Sequence, residues 1–286
     1  MKVDFHVHST ASDGTFSPAC LANMAKGFSA FALTDHDNMD GVSECREACA
    51  ALGVPFVGGV ELSIEPGCGF DKFHLLALGV DLGSEALKAL LGRILEGRNG
   101  RNERIIENFR RKGIAMDDTI YAYAHGEILA RPHFARWLMD HGYVASVKEG
   151  FDRYLLPESP EETRCYEDRW HPSQEETFRV VHEAGGLCVM AHPKYWRRYW
   201  KYGEPEFADA ERGLAELKEK GLDGLEAVYQ ANSALETVEF TRIARKLGLL
   251  VSAGSDFHGS NKPTIPLGMD VDGGIVAPLL ERLNLV

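Results

Sequence analysis

The stretch Val3-Asp4-Phe5-His6-Val7-His8 has the makings of a strand, and its period-2 geometry puts the imidazoles of His6 and His8 on one side, so two nitrogen ligands converge. Asp13 follows in the loop Ser12-Asp13-Gly14. The next candidate strand ends Thr34-Asp35-His36-Asp37, which sets a histidine among carboxylates where the chain leaves the sheet. Glu61 lies inside the otherwise apolar run Val57-Gly58-Gly59-Val60-Glu61-Leu62, and His74 inside Phe73-His74-Leu75-Leu76-Ala77-Leu78. A carboxylate or imidazole within such a strand needs a partner. Further on, Met190-Ala191-His192-Pro193 and Gly254-Ser255-Asp256-Phe257-His258-Gly259 close two more runs. A lone pair of histidines says little, but the same pattern on strand after strand says much more. Mixed nitrogen and oxygen donors without cysteine suit manganese, iron or zinc better than magnesium or calcium.

The elements that must position these groups are apolar, β-branched runs at Lys2 to His8, Ala30 to Asp35, Phe56 to Ile64, Phe73 to Val80, Leu187 to Ala191, Gly224 to Val228 and Leu250 to Ser255. Helical patterns between them argue for parallel βα units in an α/β fold. Ser17-Pro18, Ser173 with Glu176 and Ser233 with Glu236 mark helix starts, and Gly53, Gly185 and Gly248 mark helix ends. Ligands at the carboxyl ends of parallel strands are what a barrel active site requires, since the loops there converge on one face. Residues 84–169 break the alternation with Arg- and Glu-rich helical patterns and are expected to form an insertion covering the active site, on a barrel made of 1–83 and 170–286. Arg98, Arg101 and Arg104 recur at helical spacing and are expected on a solvated helix face.

The 286 residues, 44% hydrophobic, suffice for one substantial core. No apolar run is long enough to span a bilayer and the first residues lack a signal-peptide core, so a cytoplasmic protein is expected. The six cysteines form no CxxC pair and are expected as reduced thiols. A net charge of −12 opposes binding to duplex nucleic acid, so an anionic substrate must be captured by metal or by a local basic pocket.

The ordered set His-x-His, Ser-Asp-Gly, Thr-Asp-His-Asp, the glutamate strand, Ala-His-Pro and Gly-Ser-Asp-Phe-His-Gly resembles the polymerase and histidinol phosphatase (PHP) family of the amidohydrolase superfamily over nearly the whole chain. The resemblance implies a distorted seven-stranded (β/α)7 barrel holding three divalent metals, Mn2+ first, with Zn2+ or Fe2+ as alternatives. It implies His6, His8, Glu61 and Asp256 around one metal, Glu61 bridging to a second completed by His74 and His192, and Asp13, His36 and His258 around a third. The segment Ala130-Arg131-Pro132-His133 resembles the arginine-containing segment in the insertion of the family's nucleotide phosphatases.

Phosphate esters resist attack because their charge repels hydroxide, so the expected chemistry is hydrolysis by a metal-activated hydroxide. Glu61, Asp256 and His192 are expected to serve catalysis, with Asp37, His133 or a metal-bound water as the source of the leaving-group proton. Arg131, His133 and Lys194 are expected to bind substrate, and the aromatic and basic run Tyr195 to Lys201 to wall a sugar or base. The expected substrate is a small phosphorylated metabolite, a nucleoside 3′,5′-bisphosphate first. A sugar or nucleotide cyclic phosphate, histidinol phosphate, exonucleolytic trimming of short RNA, and a noncatalytic polymerase-associated module are the alternatives.

Overall fold

The computed structural model describes residues 1–65, 72–124, 129–196, 200–201 and 204–285, with only the backbone at 200–201 and 204–205. The chain divides into two compact units, residues 1–90 with 172–286, and residues 91–171.

The first unit is built on strands β1 (Lys2–Asp4), β2 (Ala30–Leu33), β3 (Phe56–Ile64), β4 (Phe73–Leu78), β5 (Leu187–Met190), β8 (Gly224–Tyr229), β9 (Leu250–Gly254) and β10 (Met269–Asp270). A separate two-stranded ribbon pairs β6 (Trp200–Lys201) with β7 (Glu204–Pro205). The main sheet runs β10-β1-β2-β3-β4-β5-β8-β9. Its far strand returns to the chain that follows β1: Phe5 N donates to Ala253 O at 3.0 Å and Asp256 N to His6 O at 2.9 Å. Seven strands thus ring a barrel, as the sequence leads one to expect, and β10 adds a short antiparallel patch on the start of β1, opposite Lys2 and Val3.

One strand departs from the parallel reading. β4 runs antiparallel to both β3 and β5, because the connection from β3, residues 65–72, is shorter than the roughly dozen residues that a parallel crossover takes. The reversal places the start of β4 beside the end of β3, with His74 opposite Ser63 and Leu76 opposite Glu61. His74 therefore reaches the ligand end of the barrel from an amino-terminal strand end.

Inside the ring, Val3, Ala30, Leu78, Val189 and Ala253 share one buried cluster with Val276 and Leu279 of the C-terminal helix Gly273–Arg282. A second cluster packs Leu21 of helix α1 (Pro18–Met24) and Cys45 of α2 (Val42–Leu52) on Phe31 and Leu33. The sequence signals act locally: Ser17 caps α1 by accepting from Cys20 N, Ser233 and Glu236 form a reciprocal box, and Gly53 and Gly248 end their helices with φ of 67° and 66°.

Two buried aspartates tie strand ends together. Asp4 accepts from His6 N at 3.2 Å, Ser255 N at 2.9 Å, Ser255 Oγ at 2.6 Å and Gly268 N at 2.8 Å. Burial pushes its carboxyl up to about 6 even though these donors pull it down. Asp35 accepts from Ser9 N and Ser9 Oγ, both at 2.7 Å, and from Ser12 Oγ at 2.6 Å.

The second unit begins at Leu91, within the continuous helix α3 (Glu85–Arg111), and ends at His171, against the 84–169 read from the sequence. It contains α4 (Arg131–Asp140) and α5 (Val147–Gly150), and its core joins Phe109, Phe134, Trp137, Leu138 and Leu155.

Asp4→Ala strands several buried donors and is expected to cost about 3 kcal/mol. Urea denaturation followed by circular dichroism measures this, and a loss below about 0.5 kcal/mol would show that the strand ends hold without it.

Candidate metal centre

Glu61 on β3 is 1% exposed and its two oxygens face five imidazoles. Glu61 Oε1 lies 2.8 Å from His74 Nδ1 and 3.0 Å from His192 Nε2. Oε2 lies 2.8 Å from His36 Nδ1, 3.2 Å from His8 Nε2 and 3.3 Å from His6 Nε2. Burial by itself would raise this carboxyl, but the facing histidines His36, His6 and His74 outweigh it and hold Glu61 well below the usual carboxylate range.

Around this group the remaining donors close in. Asp256 Oδ1 is 3.4 Å from His8 Nε2 and 3.3 Å from His258 Nδ1, while Asp13 Oδ1 is 3.3 Å from His258 Nε2. One donor atom from each of His8, Asp13, His36 and His258 falls within 4.8 Å of the others; His6, His8 and Glu61 do the same, and so do His36, Glu61 and His74. His6 Nε2, both nitrogens of His8, His36 Nδ1 and Glu61 Oε2 are buried without a hydrogen-bond partner among the described residues. Buried polar atoms are rarely left so. Five such atoms converging, all of them nitrogen or carboxylate donors, fit divalent metal ions.

The sequence reading missed the groups that orient these donors. Glu226 on β8, fully buried, accepts from His192 N at 2.6 Å and contacts His6 Nδ1 at 2.9 Å, so one carboxylate aims two site histidines. Its signal was a lone acid in the apolar run Gly224-Leu225-Glu226-Ala227-Val228, the same sign that exposed Glu61. Gly254 makes room for it, since a Cβ there would sit 2.1 Å from Glu226 Oε1. Tyr229 Oη donates to Asp256 Oδ2 at 3.0 Å, and Lys262 Nζ does so at 2.6 Å. Backbone strain collects here too: Asp37, His192 and Asp256 have φ of 51°, 27° and 60°, a region that side chains rarely occupy.

A cavity of about 320 Å³ opens over these residues, with His36, His74, His192, Tyr195 and Lys262 in its wall. Tyr195 is exposed and Trp196 buried against Phe73. Residues 197–199 and the side chains of Trp200 and Lys201, the rest of the expected aromatic and basic wall, lie outside the described residues. Asp37 is buried, with its carboxylate 3.4 Å from Ser63 N. Lys194 donates to Ala231 O and lies 3.3 Å from Glu236 Oε2, at the start of the helix Ala234–Leu247.

Arg131 and His133 belong to the second unit. Arg131 lies over the Tyr166 ring and contacts Leu155 O at 3.4 Å, while His133 Nδ1 accepts from Ala130 N at 3.0 Å and so caps its own helix. Arg98 and Arg101 are not on a solvated face: they are 7% and 5% exposed, whereas Arg104 is exposed as expected. Away from this centre, His141 stacks on Trp137, and His182 bonds Asp223 and shares a group of potential ligand atoms with it and Cys188; His125, like Cys68, lies outside the described residues. The described cysteines Cys20, Cys45, Cys49, Cys165 and Cys188 are free thiols.

A PHP domain family model matches residues 4–135. A 3′,5′-nucleoside bisphosphate phosphatase from Chromobacterium violaceum is 34% identical over 90% of this chain and 87% of its own length. The chain belongs to the PHP domain family. It is a metal-dependent phosphoesterase. A phosphoribosyl 1,2-cyclic phosphate 1,2-diphosphodiesterase from Eggerthella lenta is 30% identical over 91% of the chain and 95% of its own length. In three dimensions, an amidohydrolase from Chromobacterium violaceum with bound sulfate superposes with a TM-score of 0.84 at 30% identity, covering 99% of this chain and 96% of that one. No helix among the described residues is long and apolar enough to cross a membrane.

Glu226→Gln keeps the size of the side chain but removes the charge that aligns His6, and it is expected to weaken metal binding about 10- to 100-fold. Competition with a chromophoric chelator reads the affinity; an unchanged value would remove Glu226 from the orienting role.

Proposed function

We propose that this PHP-family phosphoesterase uses three divalent metals, Mn2+ first among them, to remove phosphate from a small phosphorylated metabolite, with a nucleoside 3′,5′-bisphosphate the leading candidate. The observation that carries the reading is Glu61, a buried carboxylate whose two oxygens are each shared among imidazoles from different strands. His6, His8, Glu61 and Asp256 would hold one ion, Glu61, His74 and His192 a second, and Asp13, His36 and His258 a third. Divalent ions bound there supply charge neutralisation at the phosphoryl oxygens and ionisation of water near neutral pH.

The chain's own part is to place and to hold. Glu226 and Asp4 lock the strand ends that carry His6, His192 and Asp256, so the donors need little rearrangement. Lys262, in the cavity wall beside Asp256, brings a cation within reach of phosphate oxygens. Tyr195 offers an exposed ring on the same cavity for a base or sugar. The cavity volume suits a small metabolite.

Protein purified with manganese is expected to carry about three metals by elemental analysis and to release phosphate from nucleoside 3′,5′-bisphosphates in preference to cyclic phosphates, histidinol phosphate and simple sugar phosphates. Glu61→Ala is expected to lose metal and to lower kcat/KM by about 1000-fold or more. Full activity in a metal-free Glu61→Ala protein would sink the mechanism. Preference for a cyclic phosphate would move the reaction to a phosphodiesterase on the same centre.

A further inference from the structure

The barrel unit carries another convergence of donor atoms, at the amino ends of its strands. His182 lies in the last turn of helix α6 (Gln174–Glu183), Cys188 is the second residue of β5, and Asp223 immediately precedes β8. One donor atom from each falls within 4.8 Å of the others. β5 and β8 run parallel, and the extended chain from Cys188 to His192 covers roughly 13 Å, so the group is separate from the centre around Glu61.

Local structure explains why the three side chains meet. Leu187, Val189 and Ala191 belong to the inner cluster of the barrel, so Cys188 points the other way, toward α6, with Sγ 4.0 Å from Phe178 O. Asp223 is held through the backbone: its N–H donates to Cys188 O at 2.9 Å, Cys188 N donates back to Asp223 Oδ2 at 2.8 Å, and Leu250 N donates to Asp223 O at 2.9 Å. His182 Nε2 lies 2.8 Å from the same Oδ2. Gly221 leaves room for the ring, since a Cβ there would sit 3.1 Å from His182 Cε1.

The donor set decides the ligand. A thiolate, a carboxylate and a neutral imidazole together carry two negative charges, which a divalent cation cancels, and thiolate sulfur selects Zn2+ over Mn2+. Two ligands of one tetrahedral zinc stand about 3.3 Å apart, so the His182–Asp223 contact has to open by about 0.5 Å. The His182 side chain is 40% exposed and can make that shift while the two strand residues stay in place. Cys188 is fully buried, and burial together with the Asp223 charge pushes its thiol up, which leaves it unsuited to act as a nucleophile.

We propose that His182, Cys188 and Asp223 form a mononuclear site for a thiophilic divalent cation, Zn2+ in class, at the amino ends of β5 and β8. Binding replaces the Cys188 S–H bond by a sulfur–metal bond and releases the proton to solvent, with no change of oxidation state. Water takes the fourth position, on the side of the exposed imidazole. The ion ties α6 to the starts of two strands, at the end of the barrel away from the phosphoesterase chemistry.

The test uses the full manganese-loaded chain and Co2+ as probe. A cobalt-bound thiolate gives an intense charge-transfer absorption in the near ultraviolet that nitrogen and oxygen ligands do not give. The donor groups around Glu61 contain no cysteine, so cobalt that exchanges into that centre is silent in this band. Native protein is expected to develop the band with the intensity of one thiolate-bound Co2+ per chain and to lose it when Zn2+ is added. Glu61→Ala is expected to develop it equally, so failure of the barrel chemistry leaves this result standing. Cys188→Ser is expected to lose the band. His182→Ala, a change at an exposed side chain, is expected to weaken cobalt binding at this site by at least about 100-fold, the upper end of what loss of a merely supporting group costs. Absence of the band from native protein, its survival in Cys188→Ser, or unchanged affinity in His182→Ala overturns the proposal, and the last of these decides the matter even where Cys188→Ser fails to fold.

Discussion

The whole arrangement depends on keeping one ionised carboxylate, that of Glu61, inside a barrel where water cannot solvate it. A buried charge is tolerated when opposite charge or donors surround it, and here imidazoles from β1, β2, β4 and β5 or their trailing loops do so. Histidine is suited to this because it can face a carboxylate through one nitrogen and leave its other nitrogen to a supporting acid, as His6 does between Glu61 and Glu226. The carboxylate draws the imidazoles inward, and the convergence leaves nitrogen and oxygen lone pairs whose natural complement is a divalent cation.

That constraint explains why strand direction matters so much. Parallel strands deliver their carboxyl ends to one face, and β4 alone delivers an amino end, by returning as a hairpin. His74 therefore meets Glu61 across neighbouring strands from the opposite chain direction. The ends so gathered would fray without fastening, and Asp4 and Asp35 supply it through hydrogen bonds to backbone and serine groups next to the site histidines. The left-handed backbones of Asp37, His192 and Asp256 are the local cost of turning chain and side chain sharply at those ends.

Much of this was legible in residue order. The strand positions, the helix caps at Ser17 and Ser233 and the terminal glycines at 53 and 248 follow local rules, and local rules can be read from neighbouring residues. The gathering of His6, His8, His36, Glu61, His74, His192, Asp256 and His258 was legible because each breaks an apolar run or ends one, while Asp13, in a loop, was joined to them by the family resemblance. Direction was less so: an apolar run looks alike whichever way it pairs, and only the short link before Phe73 argued for reversal. Glu226 and Asp4 escaped because a single acid in a strand carries no spacing partner; what gives each meaning is a donor some 220 or 251 residues away. Arg98 and Arg101 were misread for a related reason. A charged residue at helical spacing predicts a wet face only when nothing packs over that face, and what lies over α3 is supplied by residues far along the chain.

Net charge is therefore a poor guide to what either unit attracts. The chain carries −12, yet the buried carboxylates of Glu61 and Glu226 are turned toward histidines in the barrel, and Arg98 and Arg101 are buried in the second unit. Among the described residues, buried nitrogen and carboxylate atoms without a hydrogen-bond partner collect in the barrel, and Nε and Nη2 of Arg101 lack one in the second unit. Folding alone penalises both, since each leaves polar groups stripped of water and uncompensated. A sequence free to optimise stability would loosen the ring around Glu61. That the ring is kept argues that the free energy which selects it is gained when cations bind in the barrel.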